Sequence, residues 1–190
     1  KRPGHYMPLV EDDQGAYIFS SKDLCMINHI PEMVQANICS LKIEGRMKGI
    51  HYLATVVKTY REAIDAFYEN PGDFILKPRW QKELSLINHR GYSTGFYFGD
   101  PDQIIPNYKK SHLFDSHLFV GKILEPEHHP LQKTEVRNKL ITGDMVNILS
   151  PGRPLSEDTV MEMKNAADES IEVAQPGQQP CGGLAVLVSP

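Results

Sequence analysis

No apolar run in the 190 residues approaches the ~20 that a membrane-spanning helix needs, which excludes such a helix within them. The chain opens Lys1-Arg2-Pro3-Gly4, with neither a Met nor an apolar h-region. Those residues do not read as a signal peptide, and the chain is expected to begin inside a longer sequence. Cysteine is scarce: three residues, at 25, 39 and 181. An odd count without regular spacing is no disulfide framework, so a reducing cytoplasm is the expected compartment. An excess of positive charge is also missing. Lys and Arg number 20 against 24 Asp and Glu, a formal charge of −4, so any RNA contact must be a local patch and not a basic coat. Fourteen Gly and 14 Pro are too few and too scattered for a fibrous chain. No G-x-S-x-G elbow, P-loop or G-x-G-x-x-G fingerprint occurs, and none of the eight histidines forms an H-E-x-x-H pair. What is present is ordinary globular composition, 41% hydrophobic and 23% charged, which rules out wholesale disorder. The length fits one large or two small domains.

Residues 16–20 read as a short strand after the acidic turn Glu11-Asp12-Asp13-Gln14-Gly15. Ser20 or Ser21 can cap a helix from about Lys22, which Pro31 would break and restart. Residues 39–44 read as a second strand, closed by Gly45. Ile50, Leu53, Val57, Tyr60, Ile64 and Phe67 recur at spacings of 3, 4, 3, 4 and 3, predicting a helix over 49–69 with that stripe as its buried face. Pro71-Gly72 stops it, and a shorter helix follows near 79–88. Strand, helix, strand, helix is the order of parallel α/β units. Two units cannot close a (β/α)-barrel, which needs eight strands and typically ~250 residues. The first domain, over 1–100, is therefore expected to be the C-terminal part of a (β/α)-barrel-like domain. Its N-terminal half would lie outside these residues. Exposed strand edges would then leave the isolated chain poorly stable.

The character changes after residue 90. His89 to Asp100 is rich in Gly, Tyr and Phe, a loop by composition. From 115 on, short apolar stretches at 117–124, 134–140, 144–149, 158–164, 170–174 and 184–188 are separated by turn residues. They predict a small antiparallel β-barrel over 112–190, with the boundary between about 100 and 114.

The densest chemistry lies in Ser40-Leu41-Lys42-Ile43-Glu44-Gly45-Arg46-Met47-Lys48. Alternate side chains of a strand share a face, so Leu41 and Ile43 would pack on helices while Lys42 and Glu44 point into a barrel. Buried charges are costly unless they pair or work. The functional reading makes Glu44 and Lys42 catalytic, with Arg46 and Lys48 anchoring an anionic ligand at the barrel mouth. The plain reading is a structural ion pair. Cys25, among apolar neighbours, reads either as a small core residue or as one thiolate of an iron–sulfur centre whose other ligands lie elsewhere. His89-Arg90-Gly91-Tyr92-Ser93-Thr94-Gly95-Phe96 joins a cation, glycines and aromatics, residue types that hold phosphate and stack bases. The plain reading there is a docked connecting loop.

Together RPGHYM (2–7), EDDQGAYIFSSKDLCMI (11–27), SLKIEGRMK (40–48), YLATVVKTYREAIDAF (52–67), HRGYSTGFYFG (89–99) and VRNKLITGDMVNIL (136–149) resemble the collagenase-like peptidase family U-thirty-two. The resemblance runs from residue 2 to about 176. It implies a barrel-like catalytic domain followed by a small β-barrel, and Tyr52 and Arg61 join Arg46, Lys48, His89, Arg90 and Tyr92 as substrate-binding positions. Within the family the chain looks closest to the branch that hydroxylates tRNA, making 5-hydroxyuridine at the wobble position with prephenate as co-substrate. The implied partner is tRNA and the implied cofactor an iron–sulfur cluster at Cys25. The family also carries a peptidase label of unknown catalytic type, so a peptide substrate is the alternative. A peptidase needs an activated nucleophile or metal-bound water and an oxyanion site, and this sequence advertises neither. Gly49 stands where relatives tend to have Ser. The tail from Gln178 departs from the family's usual ending, so the last barrel strand is expected to be altered or lost.

Overall fold

A computed structural model describes residues 10–12, 15–17, 22–98, 117–125, 131–176 and 184–188. The chain divides into two units, Lys1–Ser116 and His117–Pro190.

In the first unit, β1 (Val10–Asp12) and β2 (Gly15–Tyr17) form an antiparallel pair. β3 (Asp23–Leu24) pairs in parallel with β4 (Tyr92–Ser93). Between them come a 3₁₀ turn at Ile27–His29, α1 (Ile30–Gln35), α2 (Ile50–Glu69), a 3₁₀ turn at Pro71–Asp73 and α3 (Pro78–Ser85). Residues 18–20, part of the first expected strand, lie outside the described residues.

The helix expected from Lys22 is not formed. The amides of Asp23 and Cys25 donate to the carbonyls of Gly91 and Ser93, at 2.8 and 2.9 Å, which commits this backbone to a strand. Helix begins only at Ile30, where Pro31 occupies the first turn that tolerates it. The strand expected at 39–44 is not formed either: residues 38–45 are irregular. A strand exists only through a neighbour, and none of the described strands pairs with this segment.

α2 has the expected length but not the expected buried face. Ile50 and Val57 are 54% and 52% exposed, while Thr55, Val56, Lys58, Thr59, Ala63 and Phe67 are buried. A stripe repeating every seven residues drifts about 20° per heptad around a straight helix, so Ile50 and Val57 swing off the face that holds Phe67. The buried face is set instead by α3 and by the turn after β3. Met26, Ile27, Ile30, Met33, Val56, Phe67, Trp80, Leu84 and Ile87 make the core. Beside it runs a polar seam. Lys58 Nζ lies 2.6 Å from Glu83 Oε2 and 3.4 Å from Glu62 Oε1, and Arg79 Nη2 lies 2.7 Å from Glu62 Oε2.

In the second unit, β5 (Gly121–Glu125), β6 (Leu131–Val136), β8 (Met145–Ile148), β9 (Ser156–Lys164) and β11 (Leu184–Val188) form one antiparallel sheet in the order β5-β6-β11-β9-β8. β7 (Leu140–Ile141) and β10 (Val173–Ala174) pair separately. Leu140, Val160, Met163 and Ala174 are its buried cluster. The divergent tail does not cost the sheet a strand: β11 stands between β6 and β9.

Candidate functional site

The parallel β3–β4 pair places Asp23 opposite Tyr92, and from that juncture a cluster is built. Gly91, at φ +81, lies between Arg90 and Tyr92 in a conformation that a side chain would strain. Asp23 is buried, yet its carboxylate is well supplied with donors. Arg90 donates to Oδ1 through Nε at 2.9 Å and Nη2 at 2.7 Å, and Lys48 Nζ donates to Oδ2 at 3.1 Å. Burial alone would raise the Asp23 carboxyl above its ordinary value; the hydrogen bonds from Arg90 and Lys48 outweigh it and hold the group lower. Lys48 also donates to the Asn88 carbonyl at 3.0 Å, and its ammonium sits 4.7 Å from the centroid of the Tyr52 ring. Lys48 is thereby fixed on three sides. Arg90 keeps 41% of its side chain exposed.

Aromatic rings wall the other side. His89 and Tyr92 stack with centroids 4.2 Å apart and planes 13° from parallel. The Gly91 amide donates to His89 Nδ1 at 2.9 Å, which places the neutral ring's proton on Nε2. Burial pushes the His89 pKa down; a hydrogen bond to the Ser85 backbone and the Asp23 charge only partly oppose it. Tyr92 donates to the Leu84 carbonyl at 2.6 Å. The Tyr60 hydroxyl accepts from the Met26 amide at 2.8 Å and points its proton at Cys25 Sγ, 3.8 Å away. Burial, then neighbouring charge, raises the phenols of Tyr52, Tyr60 and Tyr92, so all three stay neutral donors near pH 7. Beside them opens a shallow cavity of about 260 Å³, lined by Cys25, Asn28, Gln81, Tyr92, Ser93 and Thr94 among others.

Of the residues singled out in the sequence, Cys25, Lys48, Tyr52, His89, Arg90 and Tyr92 come together here. Lys42, Glu44, Arg46 and Arg61 do not. Lys42, Glu44 and Arg46 are exposed, on a segment that forms no strand among the described residues. Glu44 Oε1 accepts from the Arg46 amide at 3.0 Å, a local turn contact in place of the expected ion pair. Arg61 is exposed and bonds Asp65 one helical turn on, Nε to Oδ2 at 3.0 Å. His89 and Tyr92 stack on each other, and Phe96 is exposed. Sequence reasoning missed Asp23 and Tyr60. Asp23 fell within the helix expected from Lys22, and Tyr60 read as one more apolar stripe residue.

An iron–sulfur centre takes several thiolates. Among the described residues no group of three or more His, Cys, Asp or Glu stands together, and Cys39 is exposed with its thiol turned to the Asn37 carbonyl at 3.5 Å. The described residues therefore do not by themselves make such a site; Cys25 accepts from Tyr60 and lines the cavity.

The sequence pattern described as Peptidase family U32 matches residues 2–106, more than half the chain. The chain belongs to this family. The pattern for the U32 C-terminal domain matches residues 115–181. The tRNA hydroxylation protein P1 of Bacillus subtilis is 37% identical over 147 residues, covering 75% of this chain and 34% of that protein. The tRNA hydroxylation protein P of Escherichia coli is 35% identical over 176 residues, covering 92% and 38%. A protein named Collagenase from Porphyromonas gingivalis is 39% identical over 170 residues, covering 88% and 41%. The chain thus spans between 34% and 41% of the length of these relatives. No solved structure matches. Every gathered residue of this U32 chain lies inside the span matched to the first pattern. The Asp23 environment also fixes a pH response. A carboxyl with a folded pKa below its unfolded value, 3.8, contributes stability that is complete above about pH 5 and lost as pH falls through the folded pKa. Acid titrations of wild type and Asp23→Asn, followed by circular dichroism, should show a shallower loss of stability below pH 4 in the variant. Superimposable acid limbs would contradict this.

Proposed function

We propose that this U32 chain serves an RNA-modifying enzyme of the cytoplasm that hydroxylates a tRNA wobble uridine to 5-hydroxyuridine with prephenate as co-substrate. In this reading its first unit is the closing part of a (β/α)-barrel-like domain, and its second a small β-barrel. The observation that carries the reading is Arg90. Its guanidinium is gripped on one edge by a buried carboxylate and its side chain remains 41% exposed, two residues before Tyr92 of the cavity wall. A planar fork so held suits a carboxylate or phosphate, both of which such a reaction presents. The names of the Bacillus subtilis and Escherichia coli relatives supply the tRNA and the hydroxylation. No helix among the described residues is long and apolar enough to cross a membrane.

The test uses the full-length protein in its host. Deleting the gene should abolish 5-hydroxyuridine derivatives in bulk tRNA nucleosides measured by mass spectrometry, and the wild-type gene should restore them. An Arg90→Ala gene should restore less than a tenth of that yield, because a charge-assisted hydrogen bond contributes about 1.5–3 kcal/mol. Unchanged nucleosides on deletion, with peptide cleavage by the purified protein, would establish hydrolysis instead, as the name Collagenase on one relative would have it.

A further inference from the structure

We propose that Asp23 is a positioning residue that holds the Arg90 guanidinium in register for an anionic ligand. The inference rests on the reading of Arg90 as the anion-contacting group and deepens it. Three observations converge. First, two Arg90 bonds land on one carboxylate oxygen: Nε and Nη2 reach Oδ1 of Asp23 at 2.9 and 2.7 Å. This fixes one edge of the fork and its plane, while 41% of the side chain faces solvent. Second, the Asp23 backbone is tied to the same stretch of chain. Its amide donates to Gly91 O at 2.8 Å, and its Cα is in register with Tyr92. The carboxylate and the arginine it holds thus move as one piece, which a carboxylate on a separate element would not ensure. Third, a second cation backs the holder: Lys48 Nζ lies 3.1 Å from Asp23 Oδ2, and with Arg90 it keeps the Asp23 carboxylate ionised.

Asp23 acts through Arg90, so its effect should vanish when Arg90 is gone. The measurement uses purified full-length protein and two probes, inorganic phosphate and malonate, at constant ionic strength. Affinity is read from the concentration dependence of the thermal midpoint, and the two probes separate phosphate from carboxylate recognition. Four proteins are compared: wild type, Asp23→Asn, Arg90→Ala and the double variant. Wild type should bind at least one probe. Asp23→Asn and Arg90→Ala should each weaken it by on the order of 10-fold or more, and the double variant should bind no worse than Arg90→Ala alone. Where Asp23→Asn fails to fold, Asp23→Glu keeps the charge and shifts it by one methylene, and it should fold and bind weakly.

Wild-type affinity in either folded Asp23 variant overturns the proposal. So does an Asp23→Asn effect of equal size with and without Arg90. If wild type binds neither probe while the gene deletion still removes 5-hydroxyuridine, the anion role falls but the tRNA reading stands. If anion binding couples Asp23 to Arg90 while nucleosides are unchanged on deletion, Asp23 keeps its positioning role and the tRNA reading falls.

Discussion

Glu83→Ala should lower the unfolding free energy by about 3–5 kcal/mol, the cost of leaving a buried ion without its partner. Glu83 and Lys58 keep only 4% and 5% of their side chains exposed, and their charged atoms are 2.6 Å apart. Removing the carboxylate leaves the ammonium inside the α2–α3 contact with Glu62 at 3.4 Å, and that carboxylate is already shared with Arg79. The same physics makes a second, opposite statement. Two charges taken out of water together recover little of their desolvation cost, so replacing both by apolar groups of similar volume should be far milder. The double variant Lys58→Met/Glu83→Leu should therefore be more stable than Glu83→Ala. Denaturant unfolding of the full-length protein measures both. A change under 1 kcal/mol for Glu83→Ala would show that water reaches the seam.

Trp80→Ala should cost a similar amount, about 3–5 kcal/mol, by a different route. The indole is fully buried and stacked on Phe74, with centroids 6.3 Å apart and planes 17° from parallel. Its Nε1 donates to Glu62 Oε2 at 2.9 Å, so the ring closes the core and also supports the seam. Truncation opens a cavity and removes a donor from a carboxylate that is 14% exposed. Trp80→Phe isolates the second loss: most of the apolar burial returns, and the missing hydrogen bond should leave a deficit of about 1–2 kcal/mol. Equal losses for the Ala and Phe variants would mean that the hydrogen bond dominates and that packing counts for little.

The parts of the fold legible in the sequence are those set by local rules. The bounds of α2 follow from periodicity and from Pro71, and the helix expected near 79–88 forms as α3 over Pro78–Ser85. The antiparallel strands of the second unit follow from alternating apolar stretches and turns. Where a neighbour decides, the sequence was silent. The Lys42–Glu44 segment has strand composition but finds no strand beside it among the described residues. Which face of α2 is buried depends on Lys58 meeting Glu83, a pairing that no hydrophobic pattern displays. The site divides the same way. Lys48 and Arg90 were visible as cations in glycine-rich surroundings. Asp23 was not, because its role arises only when residues 67 positions apart are brought together. β11 shows the converse: a tail unlike the family's ending still supplies alternating backbone donors and acceptors, and a sheet asks no more of a middle strand.

The β3–β4 pair has a consequence for the order in which the unit assembles. Bringing Asp23 to Arg90 closes a chain loop across a sequence separation of 67. The entropy lost in that closure is recovered only once the intervening helices have packed and shortened the span. The closure is therefore expected late in folding, so weakening the Asp23–Arg90 contact should raise the unfolding rate more than it lowers the folding rate, which stopped-flow measurements on Asp23→Asn would read. In that order of events the cation cluster is a seal set on a helical core already packed.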